Sequence, residues 1–293
     1  MSDKNLPVYD IQDFKLPVKS EPVFYVNLFQ DHLRANPFVQ KPHKHNFYIL
    51  ILITHGSGTH TIDFVTYPVK PQTVFFLSPG QVHSWQLSND IAGYILFFNL
   101  DFYLLGFPAN KLQQYPFLNT QLQAPVLNLS VEQTEPIIQI FQELWHETQQ
   151  KGWKHQDLIR NYIDVLLIRL ARFYFLQNSN SLSAAGNFTD LQKLEALVEL
   201  HYKQHKPASF YAQLMNLSLK QLNQQVKQAL GKSVTDLIQN RLILEASRLL
   251  LHTDMNITRI AAELGYFDNS YFTRFFKKRS GQTPEQFRQA QLA

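Results

Sequence analysis

Two stretches of the C-terminal third share one design: a short helix, a tight turn and a longer helix with one polar and one apolar side. The first pairs residues 207–215 with 218–230; the second pairs 257–264 with 268–280. A few residues join each pair, a spacing that suits helix-turn-helix geometry. Ala212 and Ala261 stand where paired helices would cross closely, and Gly265 supplies a tight turn. Ser218-Leu219-Lys220-Gln221 and Thr283-Pro284-Glu285-Gln286 are capping boxes, Pro207 sits early in its helix, and Gly231 and Gly281 end theirs. A helix from Thr189-Asp190 and a long one from Ser233 through Leu251 bring the expectation to seven helices in about 100 residues.

The chain before this region has another period. Between residues 20 and 100, runs rich in β-branched and aromatic residues (47–54, 59–65, 73–77 and 93–100) alternate with turn residues: Gly56-Ser57-Gly58, Tyr67-Pro68, Lys70-Pro71, Ser78-Pro79-Gly80 and Ser88-Asn89-Asp90. Strands at that spacing point to a barrel or sandwich. After Leu129 the pattern turns helical. Ser130-Val131-Glu132-Gln133 is a capping box, followed by Ile137, Ile138, Phe141, Leu144 and Trp145 at helical spacing. A second helix over 156–176 carries a wide apolar stripe. That width leaves two readings, core packing or a dimer seam formed by Ile159, Ile163, Leu166, Leu167 and Leu170. Residues 177–188 are polar and small and read as a flexible linker. The fold class is α+β: a β-barrel with two flanking helices over 1–176, and an all-α domain over 189–293.

Composition removes several functions. A length of 293 residues suits two domains, and 45% apolar with 17% charged residues excludes a highly charged disordered chain. The absence of cysteine excludes disulfides, thiolate zinc sites and a cysteine nucleophile. No apolar run approaches a membrane span, and the N-terminal Met-Ser-Asp-Lys-Asn lacks a secretion signal, so a cytoplasmic protein with no membrane partner is expected. From Asp190 onward, 14 Lys/Arg face 9 Asp/Glu, a net of +5 against −1 for the remainder. The positive excess therefore lies in the helical part, as a polyanion partner would require.

The longer helices carry the matching chemistry. The first offers Lys220, Gln221, Asn223, Gln224 and Lys227 on its polar side, the second Asn269, Ser270, Thr273, Arg274, Lys277 and Lys278. Asn and Gln can grip adenine and Arg can grip guanine in the major groove, while lysines suit phosphates. A plain helical bundle with solvated polar faces is the alternative reading of these spacings alone.

The run from Ile260 through Gly265-Tyr266-Phe267-Asp268-Asn269-Ser270-Tyr271-Phe272-Thr273-Arg274-Phe275-Phe276-Lys277-Lys278, then Gly281-Gln282-Thr283-Pro284 and Phe287-Arg288, resembles the signature of AraC/XylS-type transcription regulators. The resemblance spans residues 190–288 and is densest over its last 32 residues. It implies two helix-turn-helix units joined by a long helix, with both recognition helices in successive major grooves of double-stranded promoter DNA. By position it implies DNA contacts at Ser218, Lys220, Asn223 and Gln224, and at Asn269, Ser270, Thr273 and Arg274. The first unit departs from the family pattern, which often has a basic residue at Gln224 and aromatic or basic ones at Gln225 and Val226.

Five of the eleven histidines lie between residues 43 and 83. His43-Lys44-His45 and the later His83 resemble the two histidine motifs of the cupin barrel, where His-x-His, a Glu and a later His bind a metal. Here Ile49 or Leu50 occupies the place of that Glu. Three imidazoles would still suit zinc, copper or nickel. The more ordinary reading is that they line a barrel mouth, and no metal or other cofactor is assigned. In AraC-type regulators such a barrel usually serves as an effector pocket. His43, His45, Tyr48, His60, His83 and Trp85 are therefore the expected effector-binding residues, with Phe76, Tyr94 and Phe97 as further aromatic walls. The chain is expected to be no enzyme but a cytoplasmic, nucleoid-associated regulator. It would act as a homodimer that answers to a small-molecule effector and, if an activator, contacts RNA polymerase. A constitutive DNA-binding protein whose barrel only dimerises, and a metal-dependent cupin enzyme, are the alternatives. Alkyl-transfer DNA repair fails for want of a cysteine acceptor.

Overall fold

The computed structural model describes residues 7–14, 23–108, 111–118, 124–177 and 185–290. The chain divides into two compact units, Pro7–Asn180 and Ser181–Ala293. In chain order the strands are β1 (Val8–Tyr9), β2 (Phe24–Leu28), β3 (Lys44–His45), β4 (Tyr48–His55), β5 (Gly58–Ile62), β6 (Val65–Val69), β7 (Thr73–Leu77), β8 (His83–Leu87), β9 (Ala92–Phe98) and β10 (Val126–Asn128). A five-stranded antiparallel sheet has the order β10-β7-β4-β9-β2, and a three-stranded one the order β6-β5-β8; β1 and β3 form a short parallel pair. Four helices accompany them: α1 (Phe29–Ala35), α2 (Leu100–Leu104), α3 (Val131–Gln150) and α4 (His155–Gln177).

The run Tyr-Ile-Leu-Ile-Leu-Ile makes β4 the central strand, because both of its faces are covered. Alternate side chains enter two different cores. Leu50 and Leu52, with Val74, Phe76, Leu96 and Phe98, pack against Ile137, Phe141 and Leu144 of α3 and the apolar stripe of α4. Ile49, Ile51 and Ile53, with Phe75, Leu77, Ile95 and Phe97, pack against Ile62, Val69 and Trp85 of the smaller sheet. Each such side chain contributes about 1.5–3 kcal/mol by leaving water. Ser130 caps α3, its hydroxyl accepting from the Gln133 N–H while Gln133 answers onto the Ser130 N–H.

Three expectations are corrected here. The stripe Ile159, Ile163, Leu166, Leu167 and Leu170 is fully buried against the sheet and α3, so it is core and presents nothing to a partner chain. The strand expected over 59–65 is a hairpin, with β5 and β6 turning through Asp63 (φ 47°) and Phe64 (φ 75°). Two consecutive left-handed residues form that turn, a place where a phenylalanine gives no sequence signal. Pro68 lies inside β6 rather than in a turn; β6 is an edge strand, where a missing N–H costs no ladder bond.

The second unit is all helical: α5 (Ala185–His201), α6 (Ala208–Leu214), α7 (Leu219–Leu230), α8 (Val234–His252), α9 (Ile257–Glu263), α10 (Asn269–Ser280) and α11 (Pro284–Ala290). Most of the linker expected over 177–188 lies outside the described residues. Its end does not: α5 begins at Ala185, not Thr189, in keeping with the high helix propensity of alanine. Arg241 of α8 ties this unit together, pairing with Glu199 of α5 through both Nε and Nη2, with Glu245 through Nη1, and stacking over Tyr202. No described helix is long and apolar enough to cross a membrane.

Candidate functional site

The two helix-turn-helix units repeat down to single hydrogen bonds. The Leu217 N–H donates to the Ala212 carbonyl at 3.0 Å, and the Tyr266 N–H to the Ala261 carbonyl at 2.9 Å. The turn residue before each is left-handed, Asn216 at φ 55° and Gly265 at φ 69°. Gly265 is further constrained, since a Cβ there would stand 2.1 Å from the Lys203 carbonyl oxygen. The second turn is one residue longer, and the added Phe267 is fully exposed. Beyond the turns, the burial of residues 221–228 recurs over 271–278, position for position. Leu222 and Val226 in α7, and Phe272 and Phe276 in α10, form the buried side.

On the opposite side the sequence-expected residues separate into two groups. Lys220, Gln224 and Lys227 of α7, and Ser270, Arg274, Lys277 and Lys278 of α10, are exposed, and Thr273 is half-buried. Among the described residues, the side chains of Gln224 and Arg274 have no hydrogen-bond partner, so both are free to meet a ligand. Ser218 and Gln221 are engaged with each other: Gln221 Oε1 accepts from the Ser218 N–H and Oγ, and the Gln221 N–H donates to Ser218 Oγ. They cap the start of α7, and both remain exposed. Asn223 departs most from the sequence reading. Its Nδ2 donates to the Leu219 carbonyl and its Oδ1 accepts from the Val234 N–H, so both ends of the amide are engaged within the unit. Asn269 remains exposed and donates to Thr258 Oγ1 at 3.3 Å.

In the barrel unit the histidines do converge. His43 precedes β3 and forms a two-bond backbone bridge with His83, which opens β8. His45 lies on β3. Its Nε2 stands 2.6 Å from His83 Nε2, and His83 Nδ1 stands 3.0 Å from His60 Nε2 on β5. The loop before His83 is fixed by Asp63, whose carboxylate accepts from Gln81 Nε2 and the Val82 N–H. His60 stacks on Trp85, its register partner. All four imidazoles are buried, and burial holds each well below its usual protonation range, His43 at about 4. They are neutral at pH 7.

Tyr48, Phe76 and Tyr94 were expected beside them and are not. They lie on the other face of the sheet, Tyr48 stacked on Phe98, Phe76 on Phe117 and Tyr94 on Phe141. Sequence reading missed instead Phe14, Phe29, His32 and Val39, which wall the void between the two sheets with His43, His45, His83, Trp85 and Phe97. His32 sits on α1, where nothing in the strand-like run around it announces a helix. The void measures about 10 Å³, room for about one water molecule and far below the few hundred Å³ of a drug-sized pocket. A wider open groove of about 360 Å³, lined by Leu105, Phe107, Lys154, Asp157 and Arg160 among others, shares no residue with it.

Residues 32–163 match the family profile of the AraC-like ligand binding domain, and residues 211–290 that of a helix-turn-helix domain. The HTH-type transcriptional activator RhaS of Enterobacter sp. (strain 638) is 24% identical over 258 residues, covering 86% of this chain and 88% of its own. An uncharacterized HTH-type transcriptional regulator of Bacillus subtilis (strain 168), YfiF, is 26% identical, covering 84% of this chain and 78% of its own. A crystal structure of unsaturated fatty acid bound ToxT from Vibrio cholerae is 15% identical over 92% of this chain and 95% of its own, at a TM-score of 0.39.

Proposed function

This chain belongs to the AraC/XylS-type transcription regulators, with an AraC-like ligand-binding domain and a DNA-binding helix-turn-helix domain, and from that premise we propose how it reads DNA. Lys220 and Gln224 of α7 meet one major-groove segment, and Ser270, Thr273 and Arg274 of α10 meet the next. The repeated helix-turn-helix geometry, with Gln224 and Arg274 at matching free positions, carries this reading. Arg274 suits the paired acceptors of guanine and Gln224 the donor and acceptor of adenine. Lys227, Lys277 and Lys278 add phosphate contacts that hold register without reading sequence.

The relatives named as activators favour activation, with RNA polymerase as a further partner on a cytoplasmic promoter. A ligand in the barrel shifts the population of binding-competent protein, which requires that it bind one state more tightly than the other. The barrel binds rather than catalyses: among the described residues lining the void there is no carboxylate, hydroxyl nucleophile or lysine. The chain works as a homodimer through a surface other than the buried stripe of α4.

Footprinting of the full-length protein on a retained promoter fragment tests the reading. Two protected major-groove segments per chain are expected, about 34 Å apart. Gln224→Ala should weaken one and Arg274→Ala the other. A single protected segment, or one that neither substitution alters, would overturn it.

A further inference from the structure

The void between the two sheets is lined by apolar side chains and histidines alone, and three of those histidines cluster. His43, His45 and His83 each offer a ring nitrogen, and the three atoms lie within 4.8 Å of one another. His43 is the most telling. Its Nδ1 donates to the Lys41 carbonyl at 2.6 Å; a carbonyl only accepts, so the proton is on Nδ1 and Nε2 carries a lone pair. That Nε2 is fully buried and has no hydrogen-bond partner. A buried acceptor left without a donor costs about 1–3 kcal/mol, which argues that the site is shaped for something that accepts a lone pair.

The surroundings fit a cation held by imidazole. A metal-bound histidine commonly donates its other N–H to a carbonyl or other acceptor, which fixes tautomer and ring orientation. His43 has the Lys41 carbonyl in that place, and His83 has His60 Nε2 at 3.0 Å from its Nδ1. His45 Nε2 and His83 Nε2 stand 2.6 Å apart, with one hydrogen between them. Nitrogens around a tetrahedral ion with bonds of 2.0–2.1 Å stand about 3.3 Å apart, so the pair opens by less than an ångström. With His83 protonated at Nδ1, facing His60 Nε2, that hydrogen belongs to His45 Nε2, and on metal binding it passes to His45 Nδ1, which is without a hydrogen-bond partner. The adjoining void has room for one water as a fourth ligand. With three neutral nitrogens and no carboxylate, the set suits zinc, copper or nickel rather than iron, manganese or magnesium.

We infer that His43, His45 and His83 bind a divalent transition-metal ion of the zinc, copper or nickel class through their Nε2 atoms, and that this cation is the ligand the barrel reads. The inference rests on the barrel being the ligand-binding half of a regulator. It also accounts for the void being too small for a sugar-sized effector.

Full-length protein stripped with chelator and titrated with Co²⁺ tests it, with promoter retention measured on the same samples. One Co²⁺ per chain is expected, with the intense visible bands of four-coordinate cobalt, displaced by Zn²⁺. His43→Gln should weaken Co²⁺ binding by at least about 100-fold. The controls are His201, half-buried at the end of α5, and the exposed His205 beyond it; replacing both with Ala should leave Co²⁺ binding unchanged. X-ray absorption of the zinc-loaded wild type needs no variant: an all-nitrogen and oxygen shell with three imidazoles is expected. No stoichiometric binding, or binding that survives His43→Gln in folded protein or is lost with His201 and His205, overturns the metal site. Zinc that binds while promoter retention is unchanged overturns its role as the signal. Promoter retention without any metal binding leaves the regulator reading standing, and retention absent in every sample counts against that reading instead.

Discussion

The side chain of Asn223 accepts a hydrogen bond from the backbone N–H of Val234 at 3.1 Å, joining the middle of one recognition helix to the first turn of the long helix α8. An orphan donor on a buried residue at a helix N-terminus is thereby satisfied from a neighbouring element. Asn223→Ala should therefore act on stability, by about 1 kcal/mol. Competition between promoter variants should show unchanged base preference, and a loosened preference at one base pair would return Asn223 to the base-reading group.

Arg274 and the pair Lys277 and Lys278 should separate cleanly. Arg274→Ala should cost about 1–3 kcal/mol at the cognate site and relax specificity there. Lys277→Ala or Lys278→Ala should weaken cognate and random DNA alike and lower the slope of log affinity against log salt by about 1. Binding titrations at several salt concentrations check both, and equal loss on random DNA for Arg274→Ala would make it a phosphate contact.

Ile163 is wrapped by the sheet and α3. Ile163→Lys should bury an unpaired charge and unfold the barrel unit, a cost above about 4 kcal/mol. Circular dichroism and size-exclusion chromatography decide this. A folded monomer would restore the dimer-seam reading of α4.

His32 predicts an acid limit. It is buried, its Nδ1 lies 3.1 Å from the Tyr25 hydroxyl, and burial, reinforced by nearby His43, lowers its pKa from 6.5 to about 3. Above pH 6.5 both folded and unfolded chains hold it neutral. Below that, the unfolded chain gains a proton that the folded chain refuses until about pH 3. Stability is therefore lost as pH falls through this window, by about 1.4 kcal/mol per unit from this residue. His32→Gln should flatten the dependence by that slope. All three tryptophans lie in the barrel unit, so fluorescence-detected urea unfolding at pH 6 and pH 5 reads it.

Legibility in the sequence followed the strength of local signals. The helical unit was readable because caps are local chemistry: Ser218, Ser233 and Thr283 mark helix starts, Gly231 and Gly281 mark ends, and the long helix lies at Val234–His252 as its signals implied. The barrel strands were partly readable, but not which way their side chains point. In β4 both faces are apolar, so Tyr48 and Ile49 look alike in the sequence while entering different cores. The same ambiguity misplaced Phe76 and Tyr94. Asn223 failed for another reason, since its partner Val234 is eleven residues away and only tertiary structure brings them together. The missing carboxylate after His45 leaves the metal motif incomplete in the sequence, whereas the nitrogen cluster depends on the His43–His83 bridge, which no spacing rule reveals.

Retention of sheared genomic DNA by the full-length protein, with the retained fragments sequenced, tests the central claim most directly. A few promoter fragments should be strongly enriched at moderate salt, and a Gln224→Ala, Arg274→Ala double variant that melts like the wild type should lose that enrichment. Retention spread evenly over the genome, or enrichment untouched in the double variant, with and without added zinc, would contradict the account.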